Sequence, residues 1–497
     1  MDLGDLLDRA IEPFAPALAR RRHAQRSALK LQRQFDVAAN GRRQENWRRT
    51  SGSQDREIQQ GLRGARNAAR ELVRNNKYAS SALRHMVVAT IGDGIEARAV
   101  HPDEAVARKA QEAWEAWAHG PVDGRNDFYA VQKLVFRGMV ECGDMLIVWQ
   151  PDAKGPDGRV RVLEGDLLDE TKNEDRADGT RIVQGVEFDK DGNRVAYWIL
   201  PRHPGDIGGA WARSTRYDAA NVDHVFEELR AGQARGISWF APVGMDFRDV
   251  ADVEQARLLK EKITACLAIV FNAPEGSGPT TPFTEEGATV TAKTGEKPVE
   301  TIRPGLVMRG RPGETATVVQ PPAGGETTQF IKQQVAAMTA QFAPYYRVTG
   351  DVSEANYTSQ RAAQIGEYGL LDDRQQNMMI PLACNPAFKR RMRRLAAETG
   401  DKRFLEVKVQ WAVYVRRLID PVKDVAGEKA EIRAGLKTMP QALSERGRNW
   451  RDHVAEQRQW QEATDAAGVV FDTDARRIDG SGGLQPPAGY IAPTSAN

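Results

Sequence analysis

Three cysteines, Cys142, Cys266 and Cys384, are too few and too widely spaced for a disulfide frame or a cysteine-rich metal site. Their use fits a reducing compartment. No stretch of eighteen apolar residues occurs, so no membrane-spanning helix is expected. The first residues, MDLGDLLDRAIEPFAPALARRRH, are acidic before they are basic and lack a small-residue cleavage site, so no secretory signal is expected. Neither charge sign dominates: 70 basic and 68 acidic residues leave a net charge of +2. A tight nucleic-acid binder normally carries a clear basic excess, because its affinity comes from neutralising phosphates.

Catalytic motifs are missing as well. No Gly-Lys dipeptide exists, which excludes a phosphate-binding GxxxxGK[ST] loop and an ATP-driven motor built on one. The seven histidines are isolated, with no HExxH and no pair at helical spacing, so no metal centre is expected. There is no GxSxG, and no cysteine has a neighbouring histidine to activate it. One pattern does outline an enzyme. Pro151-Asp152, a spacer and Glu170-Thr171-Lys172 resemble the acidic pair and lysine of a Mg²⁺-dependent nuclease. Such enzymes place Glu-x-Lys on a strand, whereas Glu170 and Lys172 lie in the polar connection LLDETKNEDRADG.

What is present is a long chain, 497 residues with 41% hydrophobic and 28% charged, enough for several packed units. Residues 1–60 form an Arg- and Gln-rich arm. From Gly61, Leu62, Ala65, Ala69, Leu72, Val73, Tyr78, Leu83 and Met86 recur at threes and fours, predicting two helices that meet at Asn75-Asn76. Gly92-Asp93-Gly94 stops the second. Ala105–Ala118 is a further helix, with Trp114 and Trp117 expected in a core. A helix from Phe128 to about Glu141 precedes predicted strands at 144–150, 160–163, 183–188 and 195–200, separated by Asp-Gly and Gly-Asn turns.

Val243 to Phe271 reads as one continuous helix, and another runs from Thr328 to about Arg347. Between them residues 273–327 are rich in Gly, Pro and Thr, with short β runs at 288–291, 306–308 and 316–319. The polar stretch VTGDVSEANYTSQRAA then leads into a helical pattern from Ser359 to Ala397, with Thr358 or Ser359 as its N-cap. Straight, that helix would span about 55 Å. Pro381 and Pro386 are expected to kink it. Residues 399–465 are mixed and then helical, with Ile432, Leu436, Leu443 and Trp450 expected to pack. The tail from Ala466 is low in core formers and is expected to be disordered.

Several ordered segments resemble the lambda-type portal proteins of tailed bacteriophages, over roughly residues 60–465. They are ARELVRNNKYASSALRHMVVATIGDGI, GMVECGDMLIV, ARGISWFAPV, PGLVMRGRPGETATVVQPP, NYTSQRA and LIDPVKDVAGEKAEIRAGLKTMPQALSERGRNW. Thr358 stands where Ser is usual in that family, Asn449 where Asp is common, and Tyr345-Tyr346-Arg347 is an unusual run.

The resemblance implies a mixed α/β (α+β), predominantly helical portal fold, assembled as a dodecameric ring at one capsid vertex. It implies a DNA channel for packaging and ejection, without catalysis, metal or cofactor. The implied partners are further copies of the chain, double-stranded DNA, the terminase large subunit, the major capsid protein or scaffold, and a head-completion adaptor, with no membrane. The implied location is the virion, after assembly in the host bacterial cytoplasm.

On that plan residues 61–242 are the wing, 243–272 and 328–346 the stem helices, and 273–327 the clip. Residues 347–358 are the tunnel loop, 359–398 the channel helix, 399–465 the crown and 466–497 the tail. Arg347, Asp351, Glu354, Asn356, Tyr357, Ser359 and Arg361 would border the channel. Lys389, Arg390, Arg391, Arg393 and Arg394 would face DNA or a neighbouring subunit. A near-neutral chain suits a conduit, since about one charge per 1.7 Å of duplex must slide past without being trapped. The competing readings are the nuclease built on Asp152, Glu170 and Lys172, and a non-ring nucleic-acid-binding structural protein.

Overall fold

The structure is a computed structural model that describes residues 50–150, 159–207, 212–265, 269–272, 315–318, 327–353, 357–412, 421–446, 448 and 450–471, with scattered positions in 13–24 and 474–477. It divides into two units, Met1–Ser53 and Gln54–Asn497. In the first, residues 16–17, 20–22 and 24 are helical. The remainder concerns the second.

Helix α1, Gln54–Asn75, buries Ile58, Leu62, Arg66, Ala69, Leu72 and Val73, which share one face at helical spacing. The inclusion of Arg66 on that face is not what an apolar pattern anticipates. Helix α2, Lys77–Ile91, follows after one residue. Asn76 caps it, its side-chain oxygen accepting from the amides of Tyr78 and Ala79 at 3.0 and 3.1 Å. Helix α3, Glu104–Ala118, and helix α4, Phe128–Cys142, carry aromatic residues into the main core. Trp114 is fully buried, its ring 5.1 Å from Trp117, 5.4 Å from Phe128, 5.2 Å from Phe388 and 6.0 Å from Trp411. Residues far apart in sequence thus share one aromatic cluster.

Strand β1, Glu96–Val100, pairs antiparallel with a strand late in the chain, Lys408–Ala412. A three-stranded sheet places β2 (Asp144–Gln150) between β3 (Arg159–Glu164) and β9 (Val222–Phe226). A five-stranded meander joins β4 (Glu174–Asp175), β5 (Arg181–Val183), β6 (Val186–Phe188), β7 (Arg194–Ile199) and β8 (Thr215–Asp218). The stretch 183–188, expected as one strand, is instead a hairpin. Gln184 (φ 48°) and Gly185 (φ 83°) are both left-handed, which reverses the chain between two short runs.

Helix α5, Gly244–Ala265, is shorter than the predicted 243–271. Its expected last turns are a strand, β10 (Ile269–Asn272), paired antiparallel with β11 (Thr315–Val318). The β-branched and aromatic run Ile-Val-Phe suits a ladder once a partner strand is available, and the sequence pattern cannot show that partner. The expected β runs at 288–291 and 306–308 lie outside the described residues. Helix α6, Thr327–Thr339, stops earlier than expected, and a five-residue helix α7, Tyr345–Thr349, starts after Pro344. Proline has no amide to donate and blocks continuation of the preceding turn.

Helix α8, Tyr357–Asp373, begins before the expected caps, so Thr358 and Ser359 lie inside its first turn. The two prolines do not break the following run. Residues Arg374–Cys384 wind as a π-helix containing Pro381, and helix α9, Asn385–Thr399, takes Pro386 in its first turn. The wider winding relieves the clash of the proline ring with the preceding turn, and a first-turn proline has no intrahelical donor to lose. The chain closes with β12 (Lys408–Ala412) and helices α10 (Pro421–Arg433), α11 (Met439–Glu445) and α12 (Trp450–Ala467). Of the positions expected to pack there, Leu443 is buried and Ile432 half-buried, while Leu436 and Trp450 are exposed.

Candidate functional site

The segment around Gly350 is held at its start and described up to Ser353. Gly350 adopts φ 74° and ends α7, its amide donating to the Tyr346 carbonyl. Asp351 then folds the chain locally: its carboxylate accepts from the Ser353 amide at 3.0 Å and hydroxyl at 2.5 Å, and Lys332 of α6 lies 3.5 Å away. Those Ser353 hydrogen bonds, helped by Lys332, pull the Asp351 carboxyl down to about 2. Arg347 is half-buried and pairs with Glu367 of α8 at 2.9 Å, its guanidinium also donating to the Tyr346 hydroxyl at 3.3 Å. Burial raises the Glu367 carboxyl, with Arg347 and Arg374 acting against that rise.

Glu354 and Asn356 lie outside the described residues, as does the side chain of Tyr357, whose backbone opens α8. Ser359 is exposed. Arg361 forms an ion pair with Asp424 of α10, so α8 is tied to a helix 63 residues further along the chain. Arg361 keeps 47% of its side chain exposed.

The basic run on α9 is divided. Arg390 reaches Asp223 of β9 at 2.5 Å, donates to the Ala220 carbonyl at 2.8 Å, and lies over the Trp149 ring at 4.9 Å. It anchors α9 to the sheet. Arg391 donates to the Ala113 carbonyl at 3.1 Å and pairs with Glu398 at 3.4 Å, while Arg394 pairs with the same carboxylate at 3.1 Å. Lys389 and Arg393 are exposed.

Beneath this lies a buried ionic network. Asp144, fully buried at the start of β2, accepts from Arg235 Nε at 2.5 Å and lies 3.2 Å from His224 Nε2. Arg66 Nη2 is 3.7 Å away. Arg235 also donates to the carbonyls of Gly165 at 2.6 Å and Gln184 at 3.2 Å. Burial opposes the Asp144 charge, but Arg235, His224 and Arg66 outweigh it and hold the carboxyl far below its usual range. Burial lowers His224 to about 4 despite its contact with Asp144, leaving the ring neutral near pH 7. Gly143 makes this approach possible. It sits at φ 98° after α4, and a Cβ there would fall 2.6 Å from the Ile237 backbone carbon.

Glu164, Asp166 and His203 offer ligand atoms within 4.8 Å of one another. Asp166 is already bonded to Arg70 at 2.6 Å and Arg66 at 3.0 Å, so the cluster serves ion pairing. Two residues of the nuclease outline are described, and both are engaged in other contacts. Glu170 lies in a turn and accepts from Arg66 at 2.7 Å, Lys172 stacks over the Trp198 ring at 3.7 Å, and Asp152 lies outside the described residues. Burial pushes Cys142 up to about 12, so it is not a ready nucleophile.

Three pairs of separated sequence segments are thus each other's partners. Gly143-Asp144 meets Arg235-Gly236, and Arg361 meets Asp424. Asn75-Asn76-Lys77-Tyr78 meets α5: Asn76 donates to the Phe247 carbonyl at 3.0 Å and the Tyr78 hydroxyl donates to Glu254 at 2.5 Å. Sequence reasoning singled out these stretches without seeing which joined which. It missed Arg66, whose only signal is a charge on an otherwise apolar helical face.

Among solved structures, the chain is similar to one from the neck of the native gene transfer agent particle computed with C12 symmetry. The identity is 14%, with 76% of this chain and 92% of that one covered and a TM-score of 0.41. A chain of the gene transfer agent virion gives 14% identity, 79% and 92% coverage and a TM-score of 0.38. The "Probable portal protein" of Halomonas phage phiHAP-1 is 24% identical over 368 residues, 68% of each chain. Residues 40–375 match the family "Phage portal protein, lambda family", and with that span matched the chain belongs to the lambda family of phage portal proteins.

Proposed function

We propose that the chain forms a ring at one capsid vertex, through which double-stranded DNA passes during packaging and ejection, without catalysis. The observation that carries this reading is the family match over residues 40–375. Two features support it. Helices α5 and α6 lie side by side, joined by the 2.7 Å hydrogen bond from Arg257 to Thr328, and the antiparallel pair β10–β11 lies between them in sequence. That arrangement suits a stem carrying a clip on which a packaging motor, and later a head-completion protein, would dock. The near-neutral charge suits passage of a polyanion.

In this reading the 347–358 segment projects toward the duplex. Arg347 and the exposed half of Arg361 are available to phosphates, and Asp351 and Glu354 limit sticking. Lys389 and Arg393 are the members of the α9 run left for DNA or a neighbouring subunit. Two measurements test it: ring formation by negative-stain microscopy and mass photometry, and packaging by particles carrying a deletion of 351–356. Monomers at every salt and concentration would overturn the ring. A deletion mutant that packages and holds full-length DNA normally would reduce the loop to a connector.

A further inference from the structure

Helix α2 runs against the base of the loop segment. The Ser81 hydroxyl donates to the Val348 carbonyl of α7 at 2.7 Å. Residues three, four and seven positions further on share its face, and they are Arg84, His85 and Val88. Arg84 is exposed, His85 half-buried, and Val88 is 54% exposed, so beyond Ser81 this face opens to solvent. Arg347 is on α7, next to the anchored Val348, and Tyr346 and Glu367 fix its guanidinium. Two guanidinium groups and one imidazole are therefore gathered where α2 meets α7.

The charge around His85 is one-sided. Burial, Arg347 and Arg84 all lower its proton affinity. The carboxylate facing the cluster is Glu367 of α8, which is 5% exposed and paired with Arg347 from beneath. Tyr346 and Tyr368 are the other titratable groups beside Arg347. Among the described residues, Glu367 is the carboxylate paired with this cluster.

We propose that Arg84, His85 and Arg347 form a contact site for the phosphodiester backbone of duplex DNA at the foot of the 347–358 segment. The inference rests on the channel reading above and extends it to α2, some 260 residues upstream of the loop. Arg84 and Arg347 supply permanent charge. His85 supplies a conditional one: an arriving phosphate offsets the two guanidinium groups, so the imidazole takes up a proton on binding. The sign follows from linkage. If the bound form holds more protons, affinity rises as pH falls.

The test uses the full-length protein as purified and a short fluorescent duplex of mixed sequence. Anisotropy is read between pH 5 and 8 at constant ionic strength, with a salt titration at neutral pH. Wild-type affinity should rise on acidification, about tenfold for each unit by which His85 is raised in the complex. His85→Gln should flatten that component. Arg84→Gln should lower the salt slope by about 0.9 for each phosphate it no longer neutralises, and Arg84→Lys should restore it.

An unchanged pH profile in His85→Gln, or an unchanged salt slope in Arg84→Gln, overturns the proposal. So does a shift in ring assembly by mass photometry with DNA binding unaltered, which would assign the cluster to a subunit contact. Should His85→Gln fail to fold, the solvent-facing Arg84 pair of variants still decides. Wild-type protein that forms no ring and binds no duplex would instead remove the channel reading itself.

Discussion

Asp144 concentrates the energetic risk of this fold in one carboxylate. It is fully buried and faces Arg235, Arg66 and His224, so its removal strands positive charge in a low-dielectric interior. Asp144→Asn should cost about 3–5 kcal/mol, the usual effect of breaking a buried ion pair on one side only. The midpoint of urea denaturation would show it. His224 makes the same network pH-sensitive. Its folded value of about 4 lies below the ordinary 6.5, so between these values the unfolded chain binds the extra proton. Stability is therefore complete above pH 6.5 and falls as pH drops toward 4, by up to roughly 3 kcal/mol. Urea midpoints measured across that range should fall in wild type and lose this component in His224→Gln.

Elements meet through a few polar ties. Gly350 ends α7 at φ 74° in open space, so a Cβ there meets no neighbour and the cost of alanine is conformational alone. Gly350→Ala should destabilise by about 1 kcal/mol, visible as a lower melting temperature. The Arg361–Asp424 pair joins α8 to α10, a helix with no buried residue of its own. Arg361→Gln should speed amide exchange over 421–433 while leaving α1 and α2 unchanged. Uniform exchange across both regions would show that the pair carries no tethering role. The π-helical run 374–384 is fixed by Arg374, donating to the Gln341 carbonyl at 2.6 Å, and by Gln375, donating to the Thr90 carbonyl at 2.6 Å. Pro381 announced a disturbance there, and these two ties hold the widened helix in place.

At the scale of the molecule, α10 and α12 bury no residue within one chain, and Val422, Leu436, Val454 and Trp460 remain exposed. Isolated helices of such length are marginal in water. Ring formation, if it covers them, should slow amide exchange over 421–467 in assembled protein relative to dilute monomer. Equal exchange in both states would place these helices outside the subunit contacts. The competing readings also separate at this scale. A nuclease or a simple DNA-coating protein needs no ring, whereas a channel does.

The sequence by itself determined the helical stretches with clear apolar period, their meeting at Asn75-Asn76 and stop at Gly92, the aromatic anchors Trp114 and Trp117, and the absence of a phosphate-binding motor loop. These follow from local pattern and residue chemistry, which need no partner. Its motif segments were also legible one at a time. Tertiary structure decided their pairing: Asp144 with Arg235, Tyr78 with Glu254, Arg361 with Asp424. It decided that Ile269–Asn272 is a strand because Thr315–Val318 lies beside it, and that Arg390 is an anchor because Asp223 and Trp149 receive it. It also brought the helix that carries Arg84 and His85 against α7, far along the chain. Charge burial and strand pairing depend on groups distant in sequence, and no local pattern records which of them will meet.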